Sequence, residues 1–242
     1  MSDFTSKLIK AFEENEATKG IITEEKASVL EALSSHMLEV NEHLNLTAIK
    51  DEDGVILKHL VDSSACVPYI AKNARLCDIG CGGGFPSLVI AILRGDVSVL
   101  GVDSVAKKVK YVENTAALLG LDNVSVSSRR AEELGRDKEF RQSFDVVTAR
   151  AVARLNVLCE LCLPLVKVGG IFLSMKSQTA PEEIDEARGA IEKLGGALDT
   201  VSTYTLTDGG EVLERTIIII KKVKNTHELY PRNNSQISKK PL

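Results

Sequence analysis

Leu76-Cys77-Asp78-Ile79-Gly80-Cys81-Gly82-Gly83-Gly84-Phe85-Pro86 is the stretch on which the fold turns. An apolar run ends in an acid, the backbone then bends through glycines, and a helix-like stretch follows. Twenty-three residues after Gly80 a second apolar run, Val97 to Val102, ends in Asp103. A strand, a Gly-rich turn, a helix and a second strand closed by an acid form a unit that binds an adenosine-containing cofactor at the carboxyl ends of parallel strands.

Outward from that unit, short apolar runs alternate with helical patterns. Strands are expected at Leu76–Ile79, Val97–Val102, Val124–Ser127, Phe144–Thr148 and Ile171–Met175. Helices are expected between them at Pro86–Leu93, Val105–Leu119, Arg154–Val168 and Pro181–Leu194. Two further runs, Leu198–Leu206 and Thr216–Val223, flank the turn signal Asp208-Gly209-Gly210 and predict an antiparallel hairpin at one edge. The alternation predicts an α/β fold: a mostly parallel, Rossmann-like sheet of seven strands with helices on both faces. The architecture matches class I S-adenosylmethionine-dependent methyltransferases.

Residues 1–72 read as a helical extension, 73–224 as the cofactor-binding domain and 225–242 as a basic C-terminal arm. Thr23-Glu24-Glu25 is a helix N-cap with an acidic first turn. Leu30, Leu33, Met37, Val40 and Leu44 then form an apolar stripe. Asn45-Leu46-Thr47 breaks that helix, and a further helix is expected from Asp51 to about Ala71.

Net charge is −4, so bulk charge does not mark a nucleic-acid binder, but its distribution is uneven. Residues 1–60 hold twelve acids against six Lys/Arg, whereas residues 215–242 hold seven Lys/Arg against Glu228 alone. Such an arm suits either phosphate contacts or plain solvation. No apolar run approaches the roughly 20 residues needed to span a bilayer. The amino terminus lacks a secretory pattern, so a cytoplasmic monomer is expected. Five cysteines lie mostly within apolar patterns, as buried thiols do in a reducing compartment. Cys159 and Cys162 have metal or redox spacing, but no second pair accompanies them, and no metal is expected.

The glycine spacing selects the cofactor. A nicotinamide or flavin turn needs G-x-G-x-x-G, and here the last position is Phe85, which prevents close helix–strand packing. Asp78 suits the ammonium and sulfonium charges of S-adenosylmethionine. Asp103 suits the ribose hydroxyls. Gly80, Gly82, Phe85 and Ser104 join these two acids as cofactor-binding candidates. There is no Walker sequence.

The methyl acceptor is narrowed by what is missing. Cytosine C5 methylation commonly uses a Pro-Cys nucleophile, and no cysteine here follows a proline. Exocyclic amine methylation typically uses an [DNS]-P-P-[YF] loop after the fourth strand, where this chain has Thr148-Ala149-Arg150-Ala151. An arginine holds a phosphate or donates to guanine O6 and N7. Guanine N7 carries its lone pair in the ring plane, so positioning and electrostatics suffice.

The chain resembles the bacterial small-subunit ribosomal RNA guanine-N7 methyltransferases, the RsmG or GidB family. The resemblance runs from about Met37 to the C-terminus. It is carried by Asn41-x-x-x-Asn45-Leu46-Thr47, Lys58-His59-x-x-Asp62-Ser63, the Asp78–Pro86 loop and Asp103-Ser104-x-x-Lys107-Lys108. It continues in Arg130-Ala131-Glu132, Ala149-Arg150-Ala151, Lys176, Glu214-Arg215 and the tail Asn225-Thr226-x-x-x-Tyr230-Pro231-Arg232. The chain departs from the family pattern at Val40, Ser87, His227, Ser235 and Ile237. The resemblance implies cofactor contacts at Gly80, Phe85, Ala131, Glu132 and Arg150, with Glu132 near the adenine. It implies that Arg130, Arg150, Lys176 and Arg215 face small-subunit (16S) ribosomal RNA within the ribosomal small subunit. The competing expectations are a methyltransferase for a small molecule or protein, with the N-terminal helices closing the pocket, and a binding module with a relic cofactor fold. His59, three residues before Asp62, suits either a His–Asp pair or an RNA contact.

Overall fold

Five strands run parallel: β1 (Arg75–Ile79), β2 (Ser98–Val102), β3 (Val124–Ser127), β4 (Phe144–Arg150) and β5 (Val166–Lys176). β6 (Gly196–Asp208) and β7 (Glu211–Lys222) pair antiparallel with each other, and β7 pairs antiparallel with β5. The order is β3-β2-β1-β4-β5-β7-β6, the expected seven-stranded, mostly parallel sheet. The computed structural model describes residues 1–177, 181–208 and 211–242. Gly209 and Gly210 of the expected hairpin turn lie outside the described residues.

Strand composition explains the positions at the antiparallel end. Ile217 to Ile220 in β7 are buried on both faces, as an unbroken apolar run requires, so the last strand lies inside. β6 is rich in Thr and Ser, with few apolar residues, and takes the edge. The two-residue period of a strand divides the core between the two faces. Leu76, Ile217 and Ile219 point to one layer, and Cys77, Ile218 and Ile220 to the other.

The first layer holds α1 (Asp3–Glu14), α2 (Glu24–Leu44), α3 (Glu52–Val55), α4 (Asp62–Ser64), α5 (Ser87–Leu93) and α6 (Ala106–Leu118). The N-terminal segment therefore shares its core with the sheet through Leu8, Phe12, Leu30, Leu33 and Met37, all fully buried. Each such side chain contributes roughly 1.5–3 kcal/mol by leaving water. Thr23 caps α2, accepting from the Lys26 amide at 3.3 Å, and Asn45 ends it in the left-handed region at φ 51°. The second layer holds α7 (Ala131–Leu134), α8 (Leu155–Cys162) and α9 (Pro181–Lys193). All five cysteines are buried free thiols, and burial pushes Cys159 and Cys162 upward within α8.

Three segments differ from expectation. The helix expected from Asp51 to Ala71 is divided into α3, a π-helical stretch Ile56–Val61, α4 and a 3₁₀ turn Val67–Tyr69. The helix expected to reach Val168 stops at Cys162, because Pro164 cannot continue it and β5 already begins at Val166. The C-terminal segment is not a free arm. It packs on the second layer and forms α10 (Asn234–Lys239) against α8.

Charged groups fasten that tail. Arg141 donates to the carbonyls of Tyr230 and Thr226, each at 2.7 Å, and Arg136 donates to Pro231 O at 2.8 Å. Arg232 grips Glu160, a fully buried carboxylate, through Nε at 2.8 Å and Nη2 at 2.6 Å. Lys222 is buried beneath the tail, donating to Leu163 O and the Thr226 hydroxyl. Burial, then the charge of Arg141, lowers the Lys222 ammonium to about 7. Among the described residues, no helix is long and apolar enough to cross a membrane.

Candidate active site

Strand order reverses at β1, with β2 and β3 to one side and β4 and β5 to the other. Crevices for ligands open at the carboxyl ends of strands at such a switch point. The Asp78–Pro86 loop lies there. Gly80 and Cys81 both donate their amides to Val102 O, at 2.8 and 3.0 Å, which folds the loop back onto β2. Gly80 has φ +75°, and a Cβ there would lie 2.4 Å from Val152 Cγ2. Gly82 has φ +53° and donates to Asp103 Oδ2 at 3.1 Å. Among the described residues, a Cβ on Gly82 would meet nothing closer than Gly80 O at 3.7 Å, so the backbone there faces open space.

That space is a cleft of about 610 Å³, within the range of small-molecule sites. Gly80, Gly82, Phe85, Asp103, Ser104, Arg130, Ala131, Glu132 and Arg150 all line it. Asp103 Oδ1 accepts from the Val105 amide at 2.8 Å. With one bond to each oxygen, the carboxylate keeps lone pairs for two hydroxyls. Ala131 and Glu132 reach the cleft because α7, a short helix absent from the sequence-based expectations, begins directly after the Arg129-Arg130 turn. Arg130 is exposed at that turn, on the rim of this cleft.

Asp78 is placed differently from the other cofactor candidates. It does not line the cleft but lies behind the loop, fully buried. Its Oδ1 accepts from the Thr148 hydroxyl at 2.8 Å, and among the described residues its Oδ2 has no hydrogen-bond partner. Burial pushes this carboxyl up to about 6, against the pull of Thr148, of the neighbouring Ser87 and of the Arg150 charge.

A second cleft, of about 490 Å³, adjoins the first. Lys58, Asp62, Lys176 and Arg215 line it, and His59, Arg150 and Ala151 line both. Three of the four expected RNA-facing residues thus gather in one cleft, with Arg150 on the wall between the two and Arg130 across the first. Lys176 is held at the second cleft by Ala153 O at 2.8 Å and Glu183 at 3.2 Å.

Arg150 is held from several directions. Its Nη1 donates to Lys58 O and to Asp62 Oδ2, both at 2.9 Å, and its Nη2 lies 3.4 Å from His59 Nδ1. Asp62 Oδ1 also accepts from the Tyr204 hydroxyl at 2.8 Å and pairs with Arg215 Nε at 3.2 Å. His59 and Asp62 are therefore not paired with each other; both hold Arg150. An arginine only donates, so His59 Nδ1 is the acceptor and Nε2–H donates to Thr47 Oγ1 at 2.8 Å. Burial, then the nearby Arg150 charge, lowers His59 to about 4, and the ring is neutral at ordinary pH. It stacks on Phe85 with centroids 4.6 Å apart. Asn41 shapes the Leu46-Thr47 corner, accepting from both amides at 2.6 and 2.9 Å. Ala151, next to Arg150, has φ 56°, an uncommon conformation for a residue with a side chain.

Tyr204, Glu183, Asn234 and Ser238 are site residues that no sequence signal marked. Tyr204 belongs to a Thr- and Ser-rich edge strand, Glu183 to an acidic first turn, and the last two to a polar tail.

A model of the family described as GidB, rRNA small subunit methyltransferase G, matches residues 26–209. The ribosomal RNA small subunit methyltransferase G of Lactobacillus delbrueckii subsp. bulgaricus is 46% identical over 210 residues, covering 85% of this chain and 87% of that one. Its namesake in Geobacillus kaustophilus is 45% identical over 228 residues, covering 93% and 94%. Among solved structures, an S-adenosylmethionine-dependent O-methyltransferase from Thermotoga maritima is similar at TM-score 0.51 and 16% identity, over 79% of this chain and 72% of that one. TrmN from Thermus thermophilus is similar at TM-score 0.52 and 20% identity, over 66% and 48%. The structural likeness shows the fold, that of class I S-adenosylmethionine-dependent methyltransferases, and the sequence relatives show more. With a glycine loop at a switch point and the family match over most of its length, the chain belongs to the GidB family of rRNA small subunit methyltransferases G.

Proposed function

We propose that this protein transfers a methyl group from S-adenosylmethionine to N7 of a guanine in 16S ribosomal RNA, acting as a cytoplasmic monomer on the ribosomal small subunit. The observation that carries this reading is the shared wall at Arg150, where a cofactor-sized cleft meets a second cleft bearing Lys58, Lys176 and Arg215.

The first cleft fits S-adenosylmethionine. Gly82 presents bare backbone, Asp103 keeps acceptor capacity for the ribose, and the buried Asp78 carboxylate supplies negative charge behind the loop. The cofactor, when bound, supplies an electrophilic methyl on a sulfonium. Glu132 and Ala131 line the cleft after β3, where the adenine is placed in this reading. Lys176 and Arg215 meet the RNA backbone, and Arg150 orients the guanine edge. Arg130 lies on the rim of the first cleft and contacts RNA from there. No proton must be removed from N7, which matches a neutral His59 whose two nitrogens are already committed. The cysteines are buried with raised pKa values, unlike an attacking thiolate.

The alternative, a small-molecule or protein acceptor under a lid of N-terminal helices, has less support. Among the described residues, Leu46 and His59 are all that residues 1–72 contribute to the first cleft. Methyl transfer from labelled S-adenosylmethionine, compared between small subunits lacking the modification and a mixture of metabolites and proteins, tests the choice. Label is expected in the RNA, and label confined to the other acceptors contradicts the reading.

Two predictions concern the loop. Gly80→Val is expected to lower Tm and abolish cofactor binding. The left-handed backbone costs an L-residue about 1–2 kcal/mol, and the Cβ drives Val152 out of the cleft wall. A wild-type Tm with full binding in calorimetry contradicts it.

The second concerns pH. Asp78 holds its proton up to about 6 in the folded chain, against an ordinary 3.8. Its stability contribution is fully present below pH 3.8 and is lost as pH rises through about 6, where a buried charge must be carried. A cationic ligand favours that charge. S-adenosylmethionine affinity is therefore expected to fall about tenfold for a one-unit drop in pH below that titration. An affinity that is flat between neutral and acidic pH removes Asp78 from cofactor binding.

A further inference from the structure

The geometry points to the C-terminal helix as part of the cofactor site: we propose that Asn234 and Ser238 of α10 contact the adenine base of S-adenosylmethionine. The inference rests on the cofactor reading of the first cleft and assigns a role to a segment whose composition suits either phosphate contacts or plain solvation.

Asn234 and Ser238 are one helical turn apart, so they share a face, and both line the first cleft. Ile237, three residues after Asn234 and on the adjoining strip of the helix surface, is buried and anchors α10 beside that face. The helix packs on α8, whose Val157 and Leu161 line the same cleft. Apolar side chains beside a carboxamide and a hydroxyl suit a flat heteroaromatic base with a polar edge. An asparagine amide both donates and accepts, the pattern that pairs with N6 and N7 of adenine. Ala131 and Glu132 of α7 line the same cleft.

The tail is built to stay there. Arg232, two residues before Asn234, is locked to buried Glu160 by its side chain and by its own amide at 2.8 Å. Pro231 lies so close to the end of α7 that a Cβ on Gly135 would come within 2.9 Å of it. The anchor therefore ties α10 both to α8 and to α7, the two helices that flank the base in this arrangement.

The test is calorimetric titration of the full-length chain with S-adenosylhomocysteine and with its inosine counterpart, in which the 6-amino group is replaced by a carbonyl. The double variant Asn234→Ala/Ser238→Ala alters two exposed side chains and is expected to keep the wild-type Tm. It is expected to bind S-adenosylhomocysteine at least tenfold more weakly and to lose most of the wild-type preference over the inosine analogue. Binding within twofold of wild type with the preference intact overturns the proposal and leaves the cofactor reading standing. Failure of the unaltered protein to bind S-adenosylhomocysteine overturns both.

Discussion

Arg150→Ala is expected to slow methyl transfer at saturating cofactor by about 10²–10³-fold, the size of loss seen when one preorganised donor at a reacting centre is removed. Arg150 is fixed by Lys58 O, Asp62 and His59 at the junction of the two clefts, so its orientation is set before substrate arrives. The fold is expected to survive. Without Arg150, Asp62 still has Arg215 at 3.2 Å and the Tyr204 hydroxyl at 2.8 Å, so no buried charge is left alone. The stability loss is expected to stay within the ~1.5–3 kcal/mol of a charge-assisted hydrogen bond. Asp62→Asn, which loosens the same clamp on Arg150, is expected to slow the reaction and to combine with Arg150→Ala less than additively. Single-turnover rates alongside urea denaturation check this. A variant that turns over normally, or one that does not fold, gives Arg150 a different role.

Arg232→Ala is expected to cost stability rather than chemistry, by about 3–5 kcal/mol. Glu160 is 0% exposed, and among the described residues Arg232 supplies the three hydrogen bonds it accepts. The alanine variant keeps the backbone amide and loses both side-chain bonds, leaving a desolvated carboxylate without its counter-charge. Removing both charges is different: Glu160→Gln with Arg232→Ala is expected to recover part of the loss, since the penalty lies in the orphaned ion. Denaturant midpoints of the single and double variants measure it. A loss below about 1 kcal/mol in Arg232→Ala would show that water reaches Glu160 and that the tail is loosely held.

What could be read from the residues divides along a physical line. Period-two apolar runs and glycine positions are local, so β1, the loop and its two acids were legible. So was the unbroken Ile217–Ile220 run, although its place inside β6 depends on comparing the two strands. Thr23 as a cap was legible for the same reason. Contacts that close over long separations were not. Asp62 meets Arg150 across 88 residues and Tyr204 across 142, and neither strand pattern records such a meeting. The π-helical turn carries no composition signal, since each residue in it also suits an ordinary helix. The tail misled because its polarity and charge are those of a solvated arm, and the partners that hold it, Glu160 and Arg141, lie in distant segments. Burial of Asp78 behind its loop was hidden as well: an acid at a strand end reads the same whether it faces a cleft or the sheet interior.

The most direct measurement of the central claim is the identity of the methylated atom after this protein acts on small subunits that lack the modification. RNA digestion with mass spectrometry and chemical cleavage at N7-methylguanine locates it. A single guanine carrying the new methyl at N7, lost in Arg150→Ala, is the predicted result. A methyl on an exocyclic amine, on carbon or on ribose would contradict an arginine-lined site that removes no proton.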